Sequence, residues 1–149
     1  MVSSTVDRVG TATDPITDAL VEQVRDVYRM FLAQDPAFLE ALDPDVEWHV
    51  PDTFPGGGGV FHGQWEVLAC LEEIGKLFEN AQPDPEEFLS AGETLIVLGM
   101  WRARARATGV QVEVPFAHVQ RFRDGKVVYF RNYIDSAEPL KALEASPSG

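Results

Sequence analysis

Apolar residues recur at helical spacing in the first half of the chain and alternate in the second. Ile16, Leu20, Val24, Val27 and Phe31 follow each other at three- and four-residue steps, which predicts a first helix ending near Gln34. Asp14-Pro15 supplies its start signal, an N-cap carboxylate followed by a ring that presets φ. Asp35-Pro36 repeats that signal for a short second helix over 37–42. Val46 to Val50 reads as a short strand, and 51–63, with four consecutive glycines at 56–59, as a loop. Val67, Leu71, Ile74 and Phe78 share one face of a third helix over about 64–79. Pro83 and Pro85 are expected to break the chain before a strand near 86–91. Longer strands follow over 94–107, 111–123 and 126–135, and 136–144 closes as a helix that tolerates Pro139 in its first turn. Helices first and an antiparallel meander last predict an α+β fold, a sheet with helices on one face. Residues 1–13 and 146–149 carry no period and are expected to be tails around one domain over 14–145, the first of them disordered.

Within the meander, Asp124-Gly125 favours a two-residue type I′ turn. That turn sets Phe122 opposite Val127 and His118 opposite Arg131. One face of the hairpin then carries Phe116, His118, Gln120, Tyr129, Arg131, Tyr133 and Asp135. The other carries Ala117, Val119, Val128, Phe130, Asn132 and Ile134. A neighbouring hairpin turning at Gly109-Val110 puts Trp101 opposite His118 and adds Gly99, Ala103 and Ala105 to the first face. Histidine, arginine, tyrosine and aspartate mixed among aromatic rings suit a pocket wall better than a solvated surface. Arg102, Arg104 and Arg106 fall on the opposite face as a solvated or partner-facing row, with Glu113 across from Arg106.

Composition narrows the classes. A chain of 149 residues with 45% apolar and 24% charged residues is that of a soluble globular domain. A net charge of −12 argues against a nucleic-acid or anionic-membrane partner, since both need clustered cations. No apolar run reaches the ~18–20 residues that span a bilayer, and the first 13 residues lack a signal-type apolar core. A cytoplasmic location is expected. The single cysteine, Cys70, reads as a packing thiol on the third helix.

The segments DPDVEWHVP at 43–51, FHG at 61–63 and FRDGKVVYFRNYID at 122–135, in this order of elements, resemble the nuclear transport factor 2-like superfamily. The SnoaL-like polyketide cyclase branch is the nearest match. The resemblance implies a cone-shaped, curved sheet wrapped around N-terminal helices, with a deep apolar pocket and often a homodimer. It implies cofactor-independent acid/base chemistry, with Asp135 matching the aspartate that acts as general base at the end of the last strand. Arg131 to Asp135 also resembles the closing segment of limonene-type epoxide hydrolases, but the Arg-x-Asp pair those enzymes carry on an earlier strand is missing from 93–107. Members of the superfamily include enzymes, ligand binders and assembly domains, so the fold does not choose among them.

The expected site follows. A carboxylate buried in an apolar pocket becomes a better proton carrier near neutral pH, which makes Asp135 the candidate base and His118 its polarising or relaying partner. Tyr133, Arg131, Trp101, Trp48, Phe116 and His62 are candidate substrate contacts. Simpler readings stand beside these: Asp135 as the cap of the last helix, His118 as a core histidine, Arg131 and Asp135 as a structural ion pair, and the aromatic residues as packing. His49 has the opposite parity to Trp48 and is expected to point away. No cofactor is called for, three histidines without ligand spacing make a poor metal site, and GGGG at 56–59 lacks the context of a phosphate loop. The loop is expected to be a lid or plain surface. The expected partner is a hydrophobic, polyketide-like carbonyl compound undergoing cyclisation, isomerisation or dehydration. The alternatives are epoxide hydrolysis, binding without catalysis, or assembly through the arginine-bearing face.

Overall fold

A computed structural model describes residues 13–144. Helix α1 (Asp18–Leu32) and a 3₁₀ segment (Pro36–Ala41) precede strands β1 (Leu42–Val50) and β2 (Gly59–His62). Helix α2 (Gly63–Leu77) leads into β3 (Phe78–Ala91), β4 (Thr94–Ala105), β5 (Gln111–Arg123), β6 (Lys126–Ile134) and helix α3 (Ala137–Glu144). The strands make one curved, unclosed six-stranded sheet in the order β2-β1-β6-β5-β4-β3. The α+β architecture is the expected one, but the sheet is mixed rather than antiparallel. β1 and β6 run parallel, and the chain between them supplies the crossover that such a pair requires.

Helix α1 begins later than its sequence signal. Thr17 is the N-cap, its hydroxyl accepting from the Leu20 amide at 3.1 Å. The Asp14 carboxylate instead accepts from the Gly125 amide at 3.0 Å, and the Gln23 side chain donates to the Gly125 carbonyl at 2.9 Å. These contacts clamp the β5–β6 turn against α1, which is why Asp14 is not free to cap. Thr13, assigned to a tail by the sequence, is buried. The tails expected at 1–12 and 146–149 lie outside the described residues.

Pro83 and Pro85 do not break the chain before β3; they lie inside it, next to two register shifts. β3 is an edge strand, with a ladder on one side only, where proline is tolerated and discourages pairing with another chain. In β4–β5, Trp101 pairs with Val114 and Ala103 with Val112, because the connection spans 106–110 rather than two residues. The displacement is an even number of positions, so the faces assigned to β4 and β5 survive.

β6 behaves differently. Asp124 and Gly125 have φ of +53° and +76°, as a type I′ turn needs, and Phe122 does pair with Val127. One step on, Arg121 pairs with Tyr129 and His118 with Asn132, leaving Val128 as the extra residue of a bulge. One extra residue exchanges the two faces of everything beyond it. Phe130 is therefore buried on the inner face, whereas Arg131 and Tyr133 are exposed. No helix among the described residues is long and apolar enough to cross a membrane.

Candidate functional site

The inner face of the sheet and the two long helices border a partly open cavity of about 710 Å³, within the usual range for small-molecule sites. Trp48, Phe54, Phe78, Trp101 and Phe130 supply much of its aromatic wall. Trp48 lies flat on Phe130, with ring centroids 3.7 Å apart, and Trp101 meets Phe54 and Phe78 edge-on at 5.4 and 5.2 Å. Trp48 and Trp101 thus occupy the positions the sequence assigned to them. His49 points outward, as its parity required, and bonds Glu47 at 2.6 Å.

One polar corner interrupts this wall. His118 is buried between Phe116 and Phe130, at centroid distances of 4.0 and 4.7 Å. Its Nδ1 lies 2.7 Å from the hydroxyl of Tyr28, and Gln120 Nε2 donates to that same hydroxyl at 2.9 Å. Burial lowers the His118 pKa to about 3, so the imidazole is neutral at physiological pH, and burial also pushes the Tyr28 phenol upward. Asn132, across from His118 on β6, lines the cavity with its Oδ1 buried and unpartnered. Among the described residues nothing bonds His118 Nε2. Phe116 packs on the imidazole rather than facing the cavity. Its ring needs Gly99 opposite: a Cβ there would sit 2.7 Å from Phe116 and 2.1 Å from the Asp84 carbonyl.

The sequence found His118 and missed its partners. Tyr28 continues the i, i+4 line of Leu20 and Val24, the three buried residues of α1, and that line was the available signal. Gln120 was on the correct face but carries no mark of chemistry. Asn132 was assigned to the wrong face by the uncounted bulge.

Four expected site residues lie elsewhere. Asp135 is exposed beyond the end of β6 and accepts from the Ala137 amide at 2.8 Å, the capping reading. Its carboxylate is thus outside the cavity. Arg131 and Tyr133 stack on each other on the outer face, guanidinium to ring centroid 5.1 Å. His62 is exposed at the N-cap of α2, its amide donating to Glu66 at 2.8 Å. Among cavity-lining residues the carboxylate is Glu72, which is exposed.

The remaining boundary features are structural. Within 51–58, Phe54 and Pro55 are buried and Phe54 lines the cavity. A Cβ on Gly58 would lie 2.0 Å from the Pro51 carbonyl. The Cys70 thiol, pushed by burial to about 11, is inert packing. Outside, Arg102 pairs with Asp84 and Glu113 at 2.7 and 2.9 Å, while Arg104 and Arg106 share Glu79. Glu113 therefore partners Arg102, not Arg106, because of the longer β4–β5 connection.

Three solved structures resemble this one closely. A nuclear transport factor 2-like protein of unknown function from Burkholderia pseudomallei is 36% identical, with a TM-score of 0.80 over 87% of this chain and 100% of that one. Another from Burkholderia thailandensis is 26% identical, TM-score 0.78, over 85% and 98%. TerC, co-crystallised with polyporic acid, is 23% identical, TM-score 0.75, over 85% and 98%. No curated protein matches the chain. The SnoaL-like domain model matches residues 24–130, a span from the middle of α1 into β6 that takes in Tyr28, His118 and Gln120. By that match and by its fold, the chain belongs to the SnoaL-like family of the nuclear transport factor 2-like superfamily.

Proposed function

We propose that the chain takes a flat, apolar carbonyl compound into the cavity and polarises its carbonyl through His118, in isomerase- or cyclase-type chemistry. The carrying observation is a neutral imidazole, occupied at Nδ1 and unpartnered at Nε2, set in an aromatic wall. Nε2–H donates to the carbonyl oxygen and holds the negative charge that grows there as an adjacent C–H passes its proton to water at the open side of the cavity. Substrates whose C–H lies between two carbonyls are already acidic and need little more. The co-crystallisation of TerC with polyporic acid supports small-molecule binding by this fold.

A second reading, binding without turnover, is favoured by the exposure of Glu72 and Asp135, which leaves no buried carboxylate beside His118 among the described residues. Two measurements separate the readings. Binding of 9-fluorenone and fluorene is followed by quenching of tryptophan emission. One net hydrogen bond of about 1 kcal/mol predicts roughly fivefold tighter binding of the ketone, and equal affinity for both in His118→Phe. Equal affinity in the unaltered protein removes the polar contact altogether. Deuterium uptake by 2-tetralone in D₂O, faster with the protein than with His118→Phe, supports turnover. Equal rates leave binding alone.

A further inference from the structure

We propose that Gln120 and Tyr28 are positioning residues: a one-directional hydrogen-bond chain from Gln120 through Tyr28 fixes the proton of His118 on Nε2, so that the cavity always offers a donor and selects ligands with an acceptor oxygen. The argument starts from proton counting. A carboxamide nitrogen carries only donors, so at 2.9 Å Gln120 Nε2 makes the Tyr28 oxygen the acceptor. The single phenolic proton is then left for His118 Nδ1 at 2.7 Å. Nδ1 must accept, and a neutral imidazole that accepts at Nδ1 carries its hydrogen at Nε2.

The fold holds this chain in place. His118 and Gln120 are two apart on β5 and share its inner face, and one residue of α1 reaches both. Tyr28, His118 and Gln120 are all buried, which limits competition from water for their bonds. The neighbouring inner-face residues of β6, Phe130 and Asn132, bring no charge that would recruit a second proton. Residue 120 thereby acts as a selector. A side chain that only accepts would turn the tyrosine round, place the hydrogen on Nδ1, and leave Nε2 as an acceptor. The consequence for ligands rests on the carbonyl reading above; the tautomer itself does not.

The test is ¹⁵N-histidine spectroscopy of the full, ligand-free chain, in which pyrrole-type and pyridine-type nitrogens are distinguished. The expected result is a pyrrole-type Nε2 and a pyridine-type Nδ1 for His118. In Tyr28→Phe, which removes only the hydroxyl, a second population protonated at Nδ1 appears, and the roughly fivefold preference for fluorenone over fluorene shrinks. In Gln120→Glu followed through the titration of its carboxyl, the protonated acid still donates, whereas the ionised form only accepts. Nδ1 therefore gains the hydrogen as that carboxyl ionises. A hydrogen on Nδ1 in the unaltered protein overturns the proposal, as does a Tyr28→Phe spectrum with no new tautomer. So does a Gln120→Glu spectrum that stays constant while the carboxyl titrates. If the tautomer is as stated but fluorenone gains nothing over fluorene, the relay stands and the carbonyl reading falls.

Discussion

Between pH 6.5 and about 3, His118 is neutral in the folded chain, while the same residue in the unfolded chain holds a proton. The unfolded state binds more protons across that window, so this group makes stability rise with pH and fall as the pH drops. The slope approaches ~1.4 kcal/mol per pH unit for one proton. Urea unfolding of the unaltered protein should lose about 2 kcal/mol more between pH 7 and 5 than His118→Phe does. Equal losses would mean that the imidazole meets water in the fold. Asp135 belongs to a different part of the molecule. Asp135→Ala should lower stability by about 1 kcal/mol through the lost cap of α3, with no change in fluorenone affinity; a ligand effect would return the carboxylate to the site.

At the level of elements, Val128 decides which side chains reach the cavity. Both Val127 and Val128 are buried, so the bulge spends its extra residue in the core and turns Phe130 and Asn132 inward. Deleting Val128 should remove only the unpaired residue, keep Phe130 and Asn132 facing inward opposite Gln120 and His118, and leave thermal unfolding cooperative; loss of a cooperative melt would contradict the register. This is also where the sequence stops being legible. Turn chemistry at Asp124-Gly125 and alternation in β4 and β5 correctly oriented Trp101, Phe116 and His118. Alternation in β6 failed because Val127-Val128-Tyr129-Phe130 has no polar residue to mark the slip. Pro83 and Pro85 misled for another reason, since their tolerance depends on β3 being an edge, a property of the sheet rather than of the segment.

For the whole molecule, the order of helices and strands was readable from periodicity except for β2, which lies in the stretch read as a loop, and the deep pocket followed from the family resemblance. Its polar corner was not readable. Tyr28 and His118 lie 90 residues apart and meet only because α1 packs across the inner face, a tertiary fact that local spacing cannot contain. The outer arginine row, the alternative partner surface, is already paired with Asp84, Glu79 and Glu113 of the same chain. The proposed function thus rests on one neutral donor in an aromatic hollow. Infrared difference spectroscopy of bound 9-fluorenone tests that claim most directly. The account predicts a carbonyl stretch at lower frequency than in a hydrocarbon solvent, returning to the hydrocarbon value in His118→Phe. A bound carbonyl already at the hydrocarbon frequency in the unaltered protein would contradict it.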